Sequence, residues 1–204
     1  MACLSLSRTP ALFLLSLCAC LQGAPASLSG IPRATERIGV AAKAVGLALP
    51  LVDPEIRIFK AAHRLELWAS GKRIKGFSVG LGHRGLADKR ISGDHLTPEG
   101  RFYVCSRSAQ SAYHLFLGIS YPSQVSADRG LREGLITQRE REVIASANRR
   151  KTCPPWNTRL GGTVGIHGHG AGADWTWGCV ALEDEDVDEL WASCPLGTPI
   201  VIAP

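Results

Sequence analysis

Thr163 to Leu182 reads T-V-G-I-H-G-H-G-A-G-A-D-W-T-W-G-C-V-A-L. It opens as a short apolar alternation, breaks into a glycine-rich loop carrying His167 and His169, and returns to apolar residues at Cys179. Side chains on a strand alternate between faces, so Val164 and Ile166 share one side and His167 emerges on the other, into a cleft. A neutral thiol is a poor nucleophile and needs a histidine to take its proton or to hold the thiolate as an ion pair. His167 lies 179 − 167 = 12 positions before Cys179, far enough for the chain to turn and return beside it. Gly178 removes a side chain where main-chain N–H groups must approach a developing oxyanion, and one such donor is typically worth about 2.7–4 kcal/mol.

Other readings of the same residues stay open. A cysteine after glycine also fits a small buried hydrophobe or half a disulfide. His167 and His169 stand at i and i+2, and with Asp174 or Cys179 they would make a zinc hydrolase. The glycines on both sides interrupt the strand that such a site needs. A non-catalytic wall-binding module is the third reading.

Working outward, I-H-G followed by D-W-T-x-G-C-V-A resembles the signature of the YkuD-type L,D-transpeptidases, in particular the branch with the YafK-like murein proteins. The upstream matches come in family order: L-E-L-W-A-S-G-K (Leu65–Lys72), G-D-H-L-T-P-E-G-R-F (Gly93–Phe102), L-G-I-S-Y-P (Leu117–Pro122) and P-P-W (Pro154–Trp156). The resemblance implies that Cys179 is the nucleophile and His167 its base, with the imidazole oriented by the carbonyl of Gly168. It implies an oxyanion hole from the N–H groups of Trp177, Gly178 and Cys179. Thr97, Tyr121 and Trp156 would line the donor site, with Asp174, Trp175 and Thr176 on the substrate side and His169 as an accessory. Thr176 stands where the commoner motif has Ser, Trp177 where it has a second His, and Ala181 where it has Arg. The implied substrates are peptidoglycan stem peptides, and a murein-linked lipoprotein is a further partner; no metal or organic cofactor is required.

The N-terminal stretch 1–26 has Arg8, an apolar run from Ala11 to Leu21, and Ala24-Pro25-Ala26, the order of a secretory signal. Leu17-Cys18-Ala19-Cys20 also reads as a lipobox that would lipidate Cys20 and anchor the chain to a membrane. Both readings imply export, and with the resemblance they imply the bacterial cell envelope, in the periplasm. Removal of 1–26 leaves 204 − 26 = 178 residues, near one domain's length. Net charge is +5 with scattered cations, and no basic stripe with interleaved aromatics marks a nucleic-acid surface.

Cys3, Cys18 and Cys20 fall in that first segment, leaving Cys105, Cys153, Cys179 and Cys194. If Cys179 is catalytic, at most one bridge forms among the other three. Residues 27–55 are Ala-, Gly- and Pro-rich and read as a linker with a short helix near Ala34 to Val45, ahead of a catalytic domain over 56–204. I-R-I-F-K and H-R-L-E-L-W-A alternate in period two and predict consecutive strands. Gly80 to Gly100 predicts a surface loop; Arg101 to Cys105 and Tyr113 to Gly118 predict strands.

Thr137 with Glu140 forms a capping box for a helix to about Arg150, with Ile136, Val143, Ile144 and Ala147 on one face. Asp184 to Ser193 predicts a second helix with Val187, Leu190 and Trp191 inward. Its crowded acids favour the helix N-terminus and, if near the thiol, raise its pKa. A last strand is expected over Ile200–Ile202. The expectation is a mainly β chain with helices, α+β, in the β-sandwich-like YkuD fold.

Overall fold

The computed structural model describes residues 28–204. The signal and lipobox readings, Cys20 included, lie outside the described residues. Eight strands run β1 (Pro54–Phe59), β2 (Arg64–Ala69), β3 (Lys72–Ser78), β4 (Gly100–Ser111), β5 (His114–Ile119), β6 (Gly165–His167), β7 (Val180–Ala181) and β8 (Pro199–Ala203). Four α-helices accompany them among the described residues: α1 (Ile31–Ala44), α2 (Gln124–Arg132), α3 (Gln138–Arg150) and α4 (Asp184–Ser193). The fold is α+β.

The strand order is β3-β2-β1-β8-β4-β5-β6-β7, a mixed sheet with the last strand in sequence near its centre. β8 pairs in parallel with β1, Ile56 opposite Ile200 and Ile58 opposite Ile202, and antiparallel with β4. All four isoleucines are buried, as period-two patterning requires. The two layers expected of a sandwich are continuous here. β4 joins them, its first residues pairing with β8 and the rest with β5 through register shifts that bend the strand.

The capping box of α3 forms as expected. Thr137 Oγ1 accepts from the Glu140 N–H, and the Glu140 carboxylate accepts from the Thr137 N–H at 2.7 Å. Its buried face is Ile144, Ala145 and Ala147, whereas Val143 is exposed. α2 was not predicted; it presents Ser126, Ala127 and Gly130 inward, and Ala127 joins Ile136, Ile144 and Leu160 in a second small core. Cys105 and Cys153 form a disulfide, Cα–Cα 5.0 Å, tying β4 to the segment after α3. Cys194 is buried and free.

The stretch read as a linker carries a packed helix. Ala34, Ile38 and Ala42 of α1 are fully buried, two of them in the main core, and α1 lies along α4. Arg37 pairs with Glu189 of α4, a carboxylate with no exposure, which also receives Lys75 of β3 at 2.7 Å. The helix is invisible as a domain element because its buried face is mostly alanine. Gly80–Gly100 is likewise more than a surface loop. Residues 81–99 form no helix and no named strand, but Leu81 and Thr97 are fully buried and Lys89 nearly so.

Candidate active site

β6 and β7 run in parallel with Ile166 opposite Val180 and His167 opposite Ala181. Residues in register share a face, so His167 and Ala181 lie on one side of the sheet, and Cys179, two before Ala181, lies there as well. Gly165 permits this strand to press on β5, since a Cβ there would fall 2.2 Å from the Phe116 ring.

His167 is 2 % exposed. Its Nδ1 lies 2.8 Å from the Gly168 carbonyl oxygen, and an N–H donating there leaves Nε2 as the free acceptor of the neutral ring. Tyr113, at the tip of the β4–β5 hairpin, stacks on the imidazole at 4.9 Å between centroids, and Trp175 meets it edge-on at 5.5 Å. Burial pushes the imidazole below its usual range; the Gly168 carbonyl acts upward and His169 downward. At neutral pH the ring is an uncharged base.

Cys179 is partly exposed, and its thiol lies 3.7 Å from the Thr163 carbonyl oxygen, to which it donates. No hydrogen bond joins Sγ to His167 among the described residues. Burial pushes the thiol up, with the Gly165 backbone and the Lys89 cation acting downward. The resting pair is therefore a thiol and a neutral imidazole rather than an ion pair. The acids at the start of α4 have another task than raising this thiol: Asp184 accepts from the His169 N–H at 2.8 Å and Glu183 from the Ala171 N–H at 2.9 Å. With His169 and Gly170, residues Glu183 to Asp186 line an open cleft of about 470 Å³.

The loop before Cys179 is held by one hydroxyl. Thr176 Oγ1 accepts from the Gly178 N–H at 3.1 Å and donates to the Cys179 carbonyl at 2.7 Å. Of the three N–H groups expected in an oxyanion hole, that of Gly178 is thus committed to the loop. Those of Trp177 and Cys179 have no acceptor among the described residues. Gly178 has φ 119°, and a Cβ there would sit 2.7 Å from the Leu96 carbonyl oxygen, so only glycine fits.

The other expected substrate residues separate. Trp175 is 36 % exposed and Trp177 76 %, the latter stacked on His95. His169 is exposed and meets Tyr113 edge-on. Thr97 is fully buried behind Cys179, its Oγ1 accepting from the Gly82 N–H at 3.0 Å and lying 3.5 Å from the Cys179 carbonyl. Tyr121 is a core residue whose hydroxyl donates to the Leu160 carbonyl, so neither of these two presents a surface to a ligand. Trp156 is partly buried, packed on Gly162, and its buried Nε1 has no partner among the described residues. Asp174 accepts from the Leu81 N–H at 2.7 Å and meets Nε2 of His63 at 3.0 Å. Among the described residues no group of three or more His, Cys, Asp or Glu side chains is arranged to hold a metal ion. Tyr113 was missed in the sequence, where a tyrosine in a hairpin turn has no distinguishing pattern.

This α+β fold is similar to those of solved structures. The helical cell shape determining protein Pgp2 from Campylobacter jejuni is 16% identical with a TM-score of 0.51, covering 81% of this chain and 54% of that one. An L,D-transpeptidase from Mycobacterium smegmatis is 10% identical with a TM-score of 0.45, covering 74% of this chain and 59% of that one. The chain spans little more than half the length of these two structures. No curated protein matches it in sequence. The model of the YkuD family, the L,D-transpeptidase catalytic domain, matches residues 53–202, and the chain belongs to that family.

Proposed function

We propose that the chain is a peptidoglycan-modifying cysteine acyl transferase that works through a thioester on Cys179. The thiol turns from the Thr163 carbonyl and gives its proton to Nε2 of His167. Sγ attacks the carbonyl on the C-terminal side of the L-centre of the third residue of a stem peptide. The tetrahedral oxyanion meets the free N–H groups of Trp177 and Cys179. Collapse breaks the amide bond, and the imidazolium gives its proton to the departing D-amino acid. An amine from a second stem then takes the acyl group as transpeptidation; water in its place gives a carboxypeptidase or a hydrolase, with a murein-linked lipoprotein as one such target.

The observation that carries this reading is the Nδ1 to Gly168 contact, which leaves the basic nitrogen of His167 free on the sheet face that also bears Cys179. Substrate of this kind places the protein outside the cytoplasm, exported to the envelope, with membrane attachment through Cys20 as the variant form. Among the described residues no helix is long and apolar enough to cross a membrane.

The test is incubation with a disaccharide tetrapeptide, with and without an amine acceptor, followed by mass analysis of the products. Release of the terminal D-residue that Cys179→Ala abolishes supports the reading. Release that survives in Cys179→Ala contradicts it.

A further inference from the structure

A second cleft, of about 400 Å³, opens on β2 and β3, with His63, Arg64, Arg73, Gly76 and Phe77 on its walls. Leu65 and Leu67 of β2 point into the core, so Arg64 and Glu66 alternate onto the other face. One carboxylate arranges the cations. Glu66 is 5 % exposed; its Oε1 lies 3.0 Å from Nε of Arg64 and accepts from Nη1 of Arg73 at 3.1 Å, and its Oε2 accepts from the Trp68 indole N–H at 2.9 Å. Burial opposes the ionised form of Glu66, but Trp68, Arg73 and Arg64 outweigh it and hold the pKa below the usual range. The carboxylate is charged, and both of its oxygens are engaged.

Two guanidinium groups thus share one anion, and the cluster keeps a surplus positive charge. A guanidinium presents five N–H donors in a fixed fork. Arg64 and Arg73 each turn one nitrogen to Glu66, and their remaining N–H groups have no acceptor among the described residues. Both side chains are roughly half exposed. Unspent donors therefore face the cleft.

Gly76 is an independent sign. It stands directly opposite Glu66 in the ladder of β2 with β3, and β3 is the edge of the sheet. Glycine weakens a strand interior and often marks the close approach of a ligand or another backbone. Neither conformation nor packing requires it here: Gly76 is not among the glycines with positive φ, and a Cβ would meet nothing nearer than Arg64 Cδ and the Leu65 carbonyl oxygen, both at 3.9 Å. The missing side chain leaves the floor of the cleft open. His63 ties this cleft to the reactive stretch, since its carbonyl accepts from the Val79 N–H at 3.0 Å and its Nε2 meets Asp174, the residue before Trp175.

We infer that Arg64 and Arg73, held side by side by Glu66 above Gly76, form a binding subsite for a carboxylate of a peptidoglycan stem peptide other than the one being cleaved. The inference rests on the murein reading of the substrate. Paired guanidinium forks match the plane and the two oxygens of a carboxylate. The subsite holds polymer and takes no part in the acyl step.

The experiment follows the amides of Arg64 and Ser78, paired across the two strands, by NMR in the Cys179→Ala protein titrated with a disaccharide tetrapeptide. The titration is repeated with Arg73→Gln or Gly76→Val added, and with a tetrapeptide whose carboxylates are amidated. A saturable shift is expected. Arg73→Gln, which leaves Arg64 on Glu66, raises the Kd at least about fivefold. Gly76→Val keeps both cations, fills the floor and has an effect of the same size; if it does not fold, Arg73→Gln decides. The amidated probe gives no saturable shift. No saturation with the tetrapeptide, a smaller rise in Kd, or equal binding of the amidated probe overturns the inference. Inorganic phosphate that saturates the same amides at a lower Kd than the tetrapeptide overturns the assignment to a carboxylate. In protein that keeps the thiol, Arg73→Gln leaves carbapenem acylation of Cys179 unchanged. A wild type that forms no adduct counts against the acyl-transfer reading alone, and the titration still decides this one.

Discussion

Nδ1 of His167 lies 2.8 Å from the carbonyl oxygen of its own neighbour, Gly168. A main-chain carbonyl carries no net charge, so it fixes the tautomer and ring direction without the strong pKa lift of a carboxylate partner. Burial then dominates and keeps the imidazole below its usual range. A base must be unprotonated to act, so activity is lost only when acid reaches that lowered pKa. The acid limb of the kcat/KM profile is expected with its midpoint below about 6.5. A midpoint above that value contradicts this account of the base.

Gly168 itself leaves no room. A Cβ there would meet the Asp184 carboxylate oxygen at 2.1 Å and Cβ of His114 at 3.0 Å. Gly168→Ala must displace the carbonyl that orients His167 or break the Asp184 contact with the His169 N–H. Loss of about 10²-fold or more in kcat is expected, since a misplacement of 1 Å is enough for that, and a kinetic comparison with wild type checks it.

The Thr176 hydroxyl ties both sides of the turn that presents Cys179. Thr176→Val keeps the shape and loses both bonds, leaving the buried Gly178 N–H unpaired at a cost of about 1–3 kcal/mol and the Cys179 carbonyl with only the Thr97 hydroxyl at 3.5 Å. Thr176→Ser keeps the hydroxyl, and most of the stability and turnover return. Thermal melts and steady-state rates of the two variants measure the difference.

Ile38 of α1 is fully buried in the main core. Ile38→Ala is expected to destabilise the protein by about 2–5 kcal/mol, as for other buried aliphatic residues. Denaturant unfolding checks this; a change below about 0.5 kcal/mol means that α1 does not belong to the cooperative unit.

The Cys105–Cys153 bridge closes a loop of 48 residues between β4 and the end of α3. Its removal in a Cys105→Ser, Cys153→Ser double variant is expected to cost about 2–4 kcal/mol while leaving Cys179 alkylation unchanged. Denaturant midpoints and the alkylation rate read the two effects separately.

Much of this architecture is legible where one local rule decides. The capping box opens α3, the acidic first turn opens α4, and alternating isoleucines mark β1 and β8. α2 escapes because its inward residues are Ser126, Ala127 and Gly130, with no apolar stripe; Ser123 as a helix cap behind Pro122 is the signal that could have found it. The reactive stretch is legible because glycine, histidine and cysteine fall together within it. What surrounds it is not, since the burial of Lys89 and Thr97 and the stack of Tyr113 on His167 depend on how distant segments meet. Thr97 and Tyr121 show the converse: motif residues expected at a ligand surface are buried supports.

The most direct measurement is the intact mass of the purified domain after incubation with a carbapenem, in wild type and in Cys179→Ala. A stoichiometric adduct in wild type that is absent from Cys179→Ala is the result predicted for an acyl-accepting nucleophile. An adduct that persists in Cys179→Ala, or a reduced and unmodified Cys179 in wild type that also releases no D-residue from a tetrapeptide, contradicts the thioester account.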